Sequence, residues 1–171
     1  QTIHIATLSK CLSPGLRTAY VVAPDADTQE SILAALRAIT LMASPIATAL
    51  ATQWIRDGSA EALLNGIRSE AAARQQIAQQ WLIGAEQSPQ SGIHVWHPLP
   101  SYWTSSGFSR AASDEHLRVT ASDAFSDGTD APNAIRISLG GVAERAQLSM
   151  ALKKLSGLLA RKPPHAMLQV I

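Results

Sequence analysis

Apolar and polar positions change period along the chain, and the changes predict an order of strands and helices. Residues 1–7 alternate loosely and run into Ser9-Lys10, which predicts a buried strand followed by a loop. Pro14-Gly15 is turn chemistry, with Pro pre-setting one backbone angle and Gly accepting a positive one. Residues 18–23, stopped by Pro24, read as a second short strand. Asp27 or Thr28 then offers an N-cap to a helix that carries Ile32, Leu33, Leu36 and Ile39 at helical spacing. Ser44-Pro45 predicts the next start, a cap followed by Pro in the first turn, for a helix with Ile46, Leu50, Trp54 and Ile55 that stops at Asp57-Gly58. Ser59 caps a long amphipathic helix, with Ala62, Leu63, Ile67, Ala71, Ile77 and Trp81 on one face and Arg68, Glu70, Arg74 and Gln75 on the other. The loop 88–92 releases it.

After Gly92 the texture changes. Ile93, Val95 and Leu99 predict a strand, 105–116 a short helix, 117–121 a strand, 126–133 a polar loop and 134–139 a strand ended by Gly140-Gly141. Residues 144–159 close the pattern as a helix with Leu148, Leu152, Leu155 and Leu159 as its buried stripe. Strands and helices mixed in this way imply an α+β lobe with an antiparallel sheet.

Composition narrows the class. The chain has 171 residues, 46% apolar and 16% charged, so it can build a core and lacks the signature of disorder. A net charge of +1 gives no field with which the chain could grip DNA by itself. The single cysteine, Cys11, excludes an internal disulfide and fits a reducing compartment. The most apolar stretch, 31–55, is broken by Arg37 and Pro45 and reads as buried helices rather than a membrane span. No charged-then-apolar signal segment opens the chain. It begins on Gln1 and runs straight into an apolar alternation, the beginning expected of a piece of a longer polypeptide.

The chemistry concentrates in Thr7-Leu8-Ser9-Lys10-Cys11-Leu12-Ser13-Pro14-Gly15-Leu16-Arg17. A loop lysine is ordinarily a solvated surface charge. Here it follows a strand, is flanked by hydroxyls, and is separated by a rigid turn from an arginine that leads the next strand. Partial burial and a nearby guanidinium both disfavour an ammonium ion, and a neutral amine attacks aldehydes to form a Schiff base. Arg17 offers a planar fork for a phosphate, and the Thr7 and Ser9 hydroxyls can bond its oxygens. Aldehyde plus phosphate describes pyridoxal 5'-phosphate (PLP).

The string resembles the Schiff-base segment of fold-type I PLP enzymes, the aspartate-aminotransferase superfamily, in which a Ser or Thr lies three residues before the lysine and some branches follow it with Pro-Gly-Leu-Arg. The resemblance implies that Lys10 binds the aldehyde and acts as the catalytic residue, while Thr7 and Arg17 hold the phosphate. Asn133-Ala134-Ile135-Arg136-Ile137-Ser138-Leu139-Gly140 looks like the late strand of that family whose arginine pairs with the substrate α-carboxylate, which makes Arg136 the substrate-binding candidate. The segment 121–125 sits where relatives carry a loop near the active site, and no chemistry is assigned to it. The fold implied is α/β: the C-terminal part of a fold-type I large domain plus a small α+β C-terminal lobe. The expected division is 1–58 as large-domain remnant, 59–90 as linking helix and 91–171 as small domain.

The run 38–45, the helix end Trp54-Ile55-Arg56-Asp57-Gly58 and His94-Val95-Trp96 look like bacterial regulators of the GntR type, MocR subgroup. There a winged helix-turn-helix DNA-binding domain precedes an aminotransferase-like module for effector sensing and dimerisation. The resemblance implies an amine or amino-acid ligand, a homodimer, a cytoplasmic setting, DNA contact only through a domain absent from this chain, and no membrane. The alternative it leaves open is a PLP-dependent aminotransferase, with Lys10 as the base that moves the 1,3-proton.

The remaining signals are bland. His94 and His97, three apart on a strand, face opposite ways and make no metal pair. Cys11 has no partner for zinc, and Asp123, Asp127 and Asp130 lack calcium-loop spacing. Ser9 and Ser13 lack the Gly-x-Ser-x-Gly elbow of a hydrolase. Lys153, Lys154, Arg161 and Lys162 suit the negative end of the last helix dipole, and Trp54, Trp81, Trp96 and Trp103 read as packing anchors.

Overall fold

The computed structural model describes residues 2–84, 92–128 and 131–162, so the expected loop at 88–92 and Asp130 lie largely outside what it describes. The chain divides into two compact units, Gln1–Arg68 and Ser69–Ile171.

In the first unit, β1 (His4–Thr7) pairs antiparallel with β2 (Ala19–Val22), His4 opposite Val22 and Thr7 opposite Ala19. The strands form where alternation predicts them, but both are exposed along their whole length. A two-stranded ribbon hides its apolar residues only where another layer covers a face, and here Ile5, Tyr20 and Val22 stay in the open. Helix α1 (Ala26–Thr40) is capped by Asp25, whose Oδ1 accepts the Thr28 N–H at 2.7 Å. The cap therefore lies two residues before the earlier of the two expected ones: the extended backbone that a cap requires falls at Asp25, next to Pro24. Helix α2 (Pro45–Arg56) starts as its pattern predicts, with the Ser44 Oγ accepting from Ala47 and Pro45 in the first turn. Ser59 is the first residue of α3 (Ser59–Trp81) rather than its cap, and its N–H donates to the Asp57 carboxylate at 2.9 Å. Stretch 31–55 is helical except at 41–44 but not buried: Ile39, Leu41, Met42 and Ile46 are exposed, and only Ala51 of α2 is buried. Periodicity assigns the helix; burial depends on what packs against it.

The second unit holds a three-stranded antiparallel sheet in the order β3 (His94–Pro98), β5 (Ala134–Ser138), β4 (Thr120–Ala121). Trp96 lies opposite Arg136 on one side, and Thr120 opposite Arg136 on the other. One sheet face gives Val95, Ile135 and Ile137 to the core. Helix α4 (Ser105–Asp114) adds Phe108 and Ala112, and α5 (Arg145–Ala160) adds Leu148, Leu152 and Leu155. Each of these side chains larger than alanine contributes about 1.5–3 kcal/mol when fully buried. From α3 the buried stripe is Ala71, Gln75 and Ala78, so Gln75, expected on the polar face, is inside. It is tolerated there because its Nε2 donates to the Gly92 and His94 carbonyls at 2.7 and 3.1 Å. Strand β4 is shorter than the expected 117–121. His116 turns the chain at φ 60°, and the Leu117 N–H goes to the Ala112 carbonyl at the end of α4 instead of to the sheet.

None of the basic residues expected at the end of α5 falls in its last turn, since Lys153 and Lys154 lie within the helix and Arg161 and Lys162 follow it. Lys154 and Arg161 pair with Glu115, and Lys153 sits over the Trp81 ring. Among the described residues no helix is long and apolar enough to cross a membrane.

Candidate functional site

The loop between β1 and β2 is built by the backbone. The Leu8 N–H donates to the Thr18 carbonyl at 3.0 Å and closes its base, and Leu12 and Ser13 N–H both donate to the Leu8 carbonyl at 2.9 and 3.1 Å. Thr7 Oγ1 accepts from the Ser9 N–H at 3.2 Å, and the Cys11 thiol donates to the Thr7 carbonyl at 3.4 Å. Lys10 therefore lies within a turn fixed from both ends, and it is exposed, not partly buried as expected. The Ser13 Oγ accepts from the Gly15 N–H at 3.3 Å at the head of a short 3-10 turn, Pro14–Leu16.

Arg17 follows that turn with φ 46° and ψ 35°, in the left-handed region. The positive angle expected at Gly15 thus falls on the arginine, since Gly15 is not among the residues with positive φ. A side chain there is strained, and such strain is held by neighbours. The neighbours are Leu16 and Thr18, both buried, with the Thr18 hydroxyl donating to the Leu16 carbonyl at 2.8 Å. Arg17 stands exposed between them.

Thr7, Lys10 and Arg17 are therefore carried by one closed loop. Residues 7–18 contain two cations and four hydroxyl groups and no carboxylate. That donor set fits PLP: an amine for an aldehyde, and a guanidinium with hydroxyls for a phosphate dianion.

Arg136 belongs to the second unit. It sits on the central strand, not at a sheet edge, on the face opposite Ile135 and Ile137. Its Cζ lies 4.6 Å from the Phe125 ring centroid, and the Phe125 ring meets Trp96 edge-on at 5.7 Å. Its Nε is buried and has no hydrogen-bond partner. A guanidinium with an unsatisfied N–H can take a carboxylate. Phe125 and Trp96 were missed as neighbours of Arg136: nothing in a single sequence reveals which residue of a loop folds over a strand.

Of the other sequence candidates, His97 is buried and His94 half-buried on opposite faces of β3. Burial pushes the His97 imidazole below its ordinary pKa. Trp103 is a buried anchor whose Nε1 donates to the Arg161 carbonyl at 2.9 Å, and Trp81 donates to Ser149. Trp96 departs from the expected anchor role, being 40% exposed. Among the described residues no group of three His, Cys, Asp or Glu could hold a metal ion.

No protein-family profile matches the chain. An uncharacterised HTH-type transcriptional regulator of Bacillus subtilis, YdeF, is 32% identical over 161 residues, covering 93% of this chain and 35% of that protein. The 2-aminoadipate transaminase of Thermus thermophilus is 29% identical over 170 residues, covering 92% of this chain and 42% of its own length. The crystal structure of LysN, the α-aminoadipate aminotransferase of Thermus thermophilus complexed with N-(5'-phosphopyridoxyl)-L-leucine, matches with a TM-score of 0.76 at 24% identity, over 92% of this chain and 41% of that one. The kynurenine aminotransferase of Pyrococcus horikoshii matches with a TM-score of 0.79 at 19% identity, over 92% and 40%. The chain spans between about a third and two fifths of the length of these proteins.

Proposed function

We propose that the chain, which has the fold of the C-terminal part of an aminotransferase-like domain of the fold-type I PLP superfamily, serves a GntR/MocR-type transcriptional regulator as its PLP-binding effector module. The observation that supports this reading is the closed β1–β2 loop, whose residues 7–18 include Thr7, Lys10 and Arg17 and no carboxylate. The similarity to YdeF favours a regulator.

In this reading Lys10 holds the cofactor through its Nζ, Arg17 and Thr7 hold the phosphate, and Arg136 receives the carboxylate of an amino-acid ligand. When bound, PLP supplies an electrophilic carbon and an electron-accepting ring. The loop's part is to fix the amine against the phosphate grip, so that ligand exchange at one does not release the other. The apolar surface at Ile39, Leu41, Met42 and Ile46 suits cover by the rest of a longer chain or by a second copy in a homodimer. DNA contact belongs to a winged helix-turn-helix outside this chain, and the setting is cytoplasmic.

The similarity to 2-aminoadipate transaminase favours a second reading, an aminotransferase in which Lys10 Nζ takes up and returns the proton moved during amino transfer. One experiment addresses both. The full-length protein is mixed with PLP and its visible spectrum recorded before and after borohydride, with Lys10→Ala alongside. Reduction should fix the cofactor's mass on the peptide containing Lys10, and Lys10→Ala should lose the band. A variant that keeps the band overturns the assignment. Amino transfer to 2-oxoglutarate by the intact protein selects the enzyme over the regulator, while ligand-dependent DNA binding without it selects the regulator.

A further inference from the structure

Arg136 is the central residue of the sheet face that points away from the core, with Trp96 beside it on β3 and Thr120 beside it on β4. Its guanidinium does not lie free on that face. The Phe125 ring covers it, with the Cζ at 4.6 Å from the centroid, within the range of about 6 Å for cation–π attraction. Phe125 is itself held. It ends the short 3-10 turn Ser122–Phe125, in which Ser122 is buried and Asp123 accepts the Ser105 hydroxyl at 2.7 Å. Its ring is met edge-on by Trp96 at 5.7 Å. Both rings are large and half in the open, Phe125 at 49% and Trp96 at 40%, where an aromatic side chain gains little from packing alone.

A ring stacked on the guanidinium face leaves the edge, where the N–H donors lie, available for in-plane pairing. A carboxylate of the protein would occupy that edge, and among the described residues no ion pair engages Arg136. Its buried Nε has no acceptor. Orientation thus comes from an aromatic partner that does not compete for the anion.

We propose that Phe125 is a positioning residue for Arg136, setting the plane of the guanidinium for an incoming α-carboxylate, with Trp96 as the brace that sets Phe125. This rests on the reading of Arg136 as the carboxylate site. It assigns a role to a residue that touches no reacting atom, so the effect belongs in ligand affinity and only for ligands that carry the carboxylate.

The test uses the full-length PLP-loaded protein. The twenty proteinogenic L-amino acids and L-2-aminoadipate are titrated in, each beside the amine that lacks its α-carboxylate (3-methylbutylamine for leucine, 5-aminopentanoate for 2-aminoadipate). Occupancy is read from the change in the visible band. Phe125→Leu should weaken amino-acid binding by about three- to tenfold and leave the matched amines unchanged, and Phe125→Tyr should restore affinity. Trp96→Leu should give a smaller loss of the same kind. Arg136→Gln should abolish the preference for amino acid over amine. If Phe125→Leu weakens amine and amino acid alike, or neither, while Arg136→Gln still abolishes the preference, the positioning role is overturned and the carboxylate site stands. If Arg136→Gln changes nothing, or the wild type prefers no amino acid over its amine, the carboxylate site falls and the positioning role with it.

Discussion

The Arg74 guanidinium on α3 donates from Nη1 to the Leu139 carbonyl at 2.8 Å, tying the long helix to the residue that follows β5. The same nitrogen reaches the Val142 carbonyl at 2.8 Å, Nη2 reaches the Ala143 carbonyl at 2.6 Å, and Nε reaches Glu70. Three carbonyls of the turn around Gly140-Gly141 thus find their donor on one side chain, itself only 11% exposed. Arg74→Met keeps the aliphatic stem and strands those carbonyls. It should cost about 2–3 kcal/mol in urea unfolding. Arg74→Lys should recover less than half, since a compact ammonium cannot fork across three acceptors. A Met variant as stable as the wild type would show that the turn holds itself.

Glu70 lies between two arginines, and the Arg145 hydrogen bond, then that of Arg74, holds its pKa down at about 2. A folded-state value below the unfolded one means the contribution is complete above about pH 4.5 and is lost as pH falls toward the folded value. The stability gap between wild type and Glu70→Gln should therefore close between those limits and stay constant above them. Chemical denaturation at a series of pH values measures the gap, and one that stays open at pH 2 rejects the assignment. The gap is also expected to shrink with salt, because Glu70 is 40% exposed.

The elements were legible because each is a local matter. Ser44-Pro45 announces α2, and the Leu148, Leu152, Leu155, Leu159 stripe announces α5, through caps and a 3.6-residue period that need no tertiary partner. The turn after Lys10 was legible for the same reason, since Ser13 and Pro14 fix it locally, although its positive φ falls on Arg17 and not on Gly15. Burial was not. The apolar residues of β1 and α1 stand exposed, whereas Arg74 and Gln75, polar and placed by pattern on the outer face, are drawn in by carbonyls of residues far along the chain. The meeting of Phe125 with Arg136 was hidden likewise, because it depends on how a short turn folds back over a strand eleven residues later.

His97 faces the core from β3, and its Nδ1 is buried without a hydrogen-bond partner. Burial lowers its pKa from the ordinary 6.5, so the folded protein keeps it neutral while the unfolded chain binds the proton more readily. The stability that depends on the neutral ring is full above about pH 6.5 and falls as pH drops below it. His97→Leu should be less sensitive to acid below about pH 6.5 and should lose the penalty of the orphaned nitrogen. Matched thermal melts of the two proteins check this. A variant that loses stability in parallel with the wild type would assign the acid sensitivity elsewhere.

Arg17 offers a way to separate the backbone of the loop from its charge. At φ 46° the Cβ of any L side chain is crowded, a cost of about 1 kcal/mol that glycine does not carry. Arg17→Ala keeps the Cβ and Arg17→Gly removes it, while both remove the guanidinium. The glycine variant should be more stable than the alanine variant by about 1 kcal/mol in the absence of cofactor. Both should hold PLP more weakly than wild type, by roughly ten- to a hundredfold, if the guanidinium grips the phosphate. The two readouts are independent. Equal stability of the variants would mean that the left-handed turn carries no strain, and undiminished PLP retention in both would mean that the phosphate is held by something other than position 17.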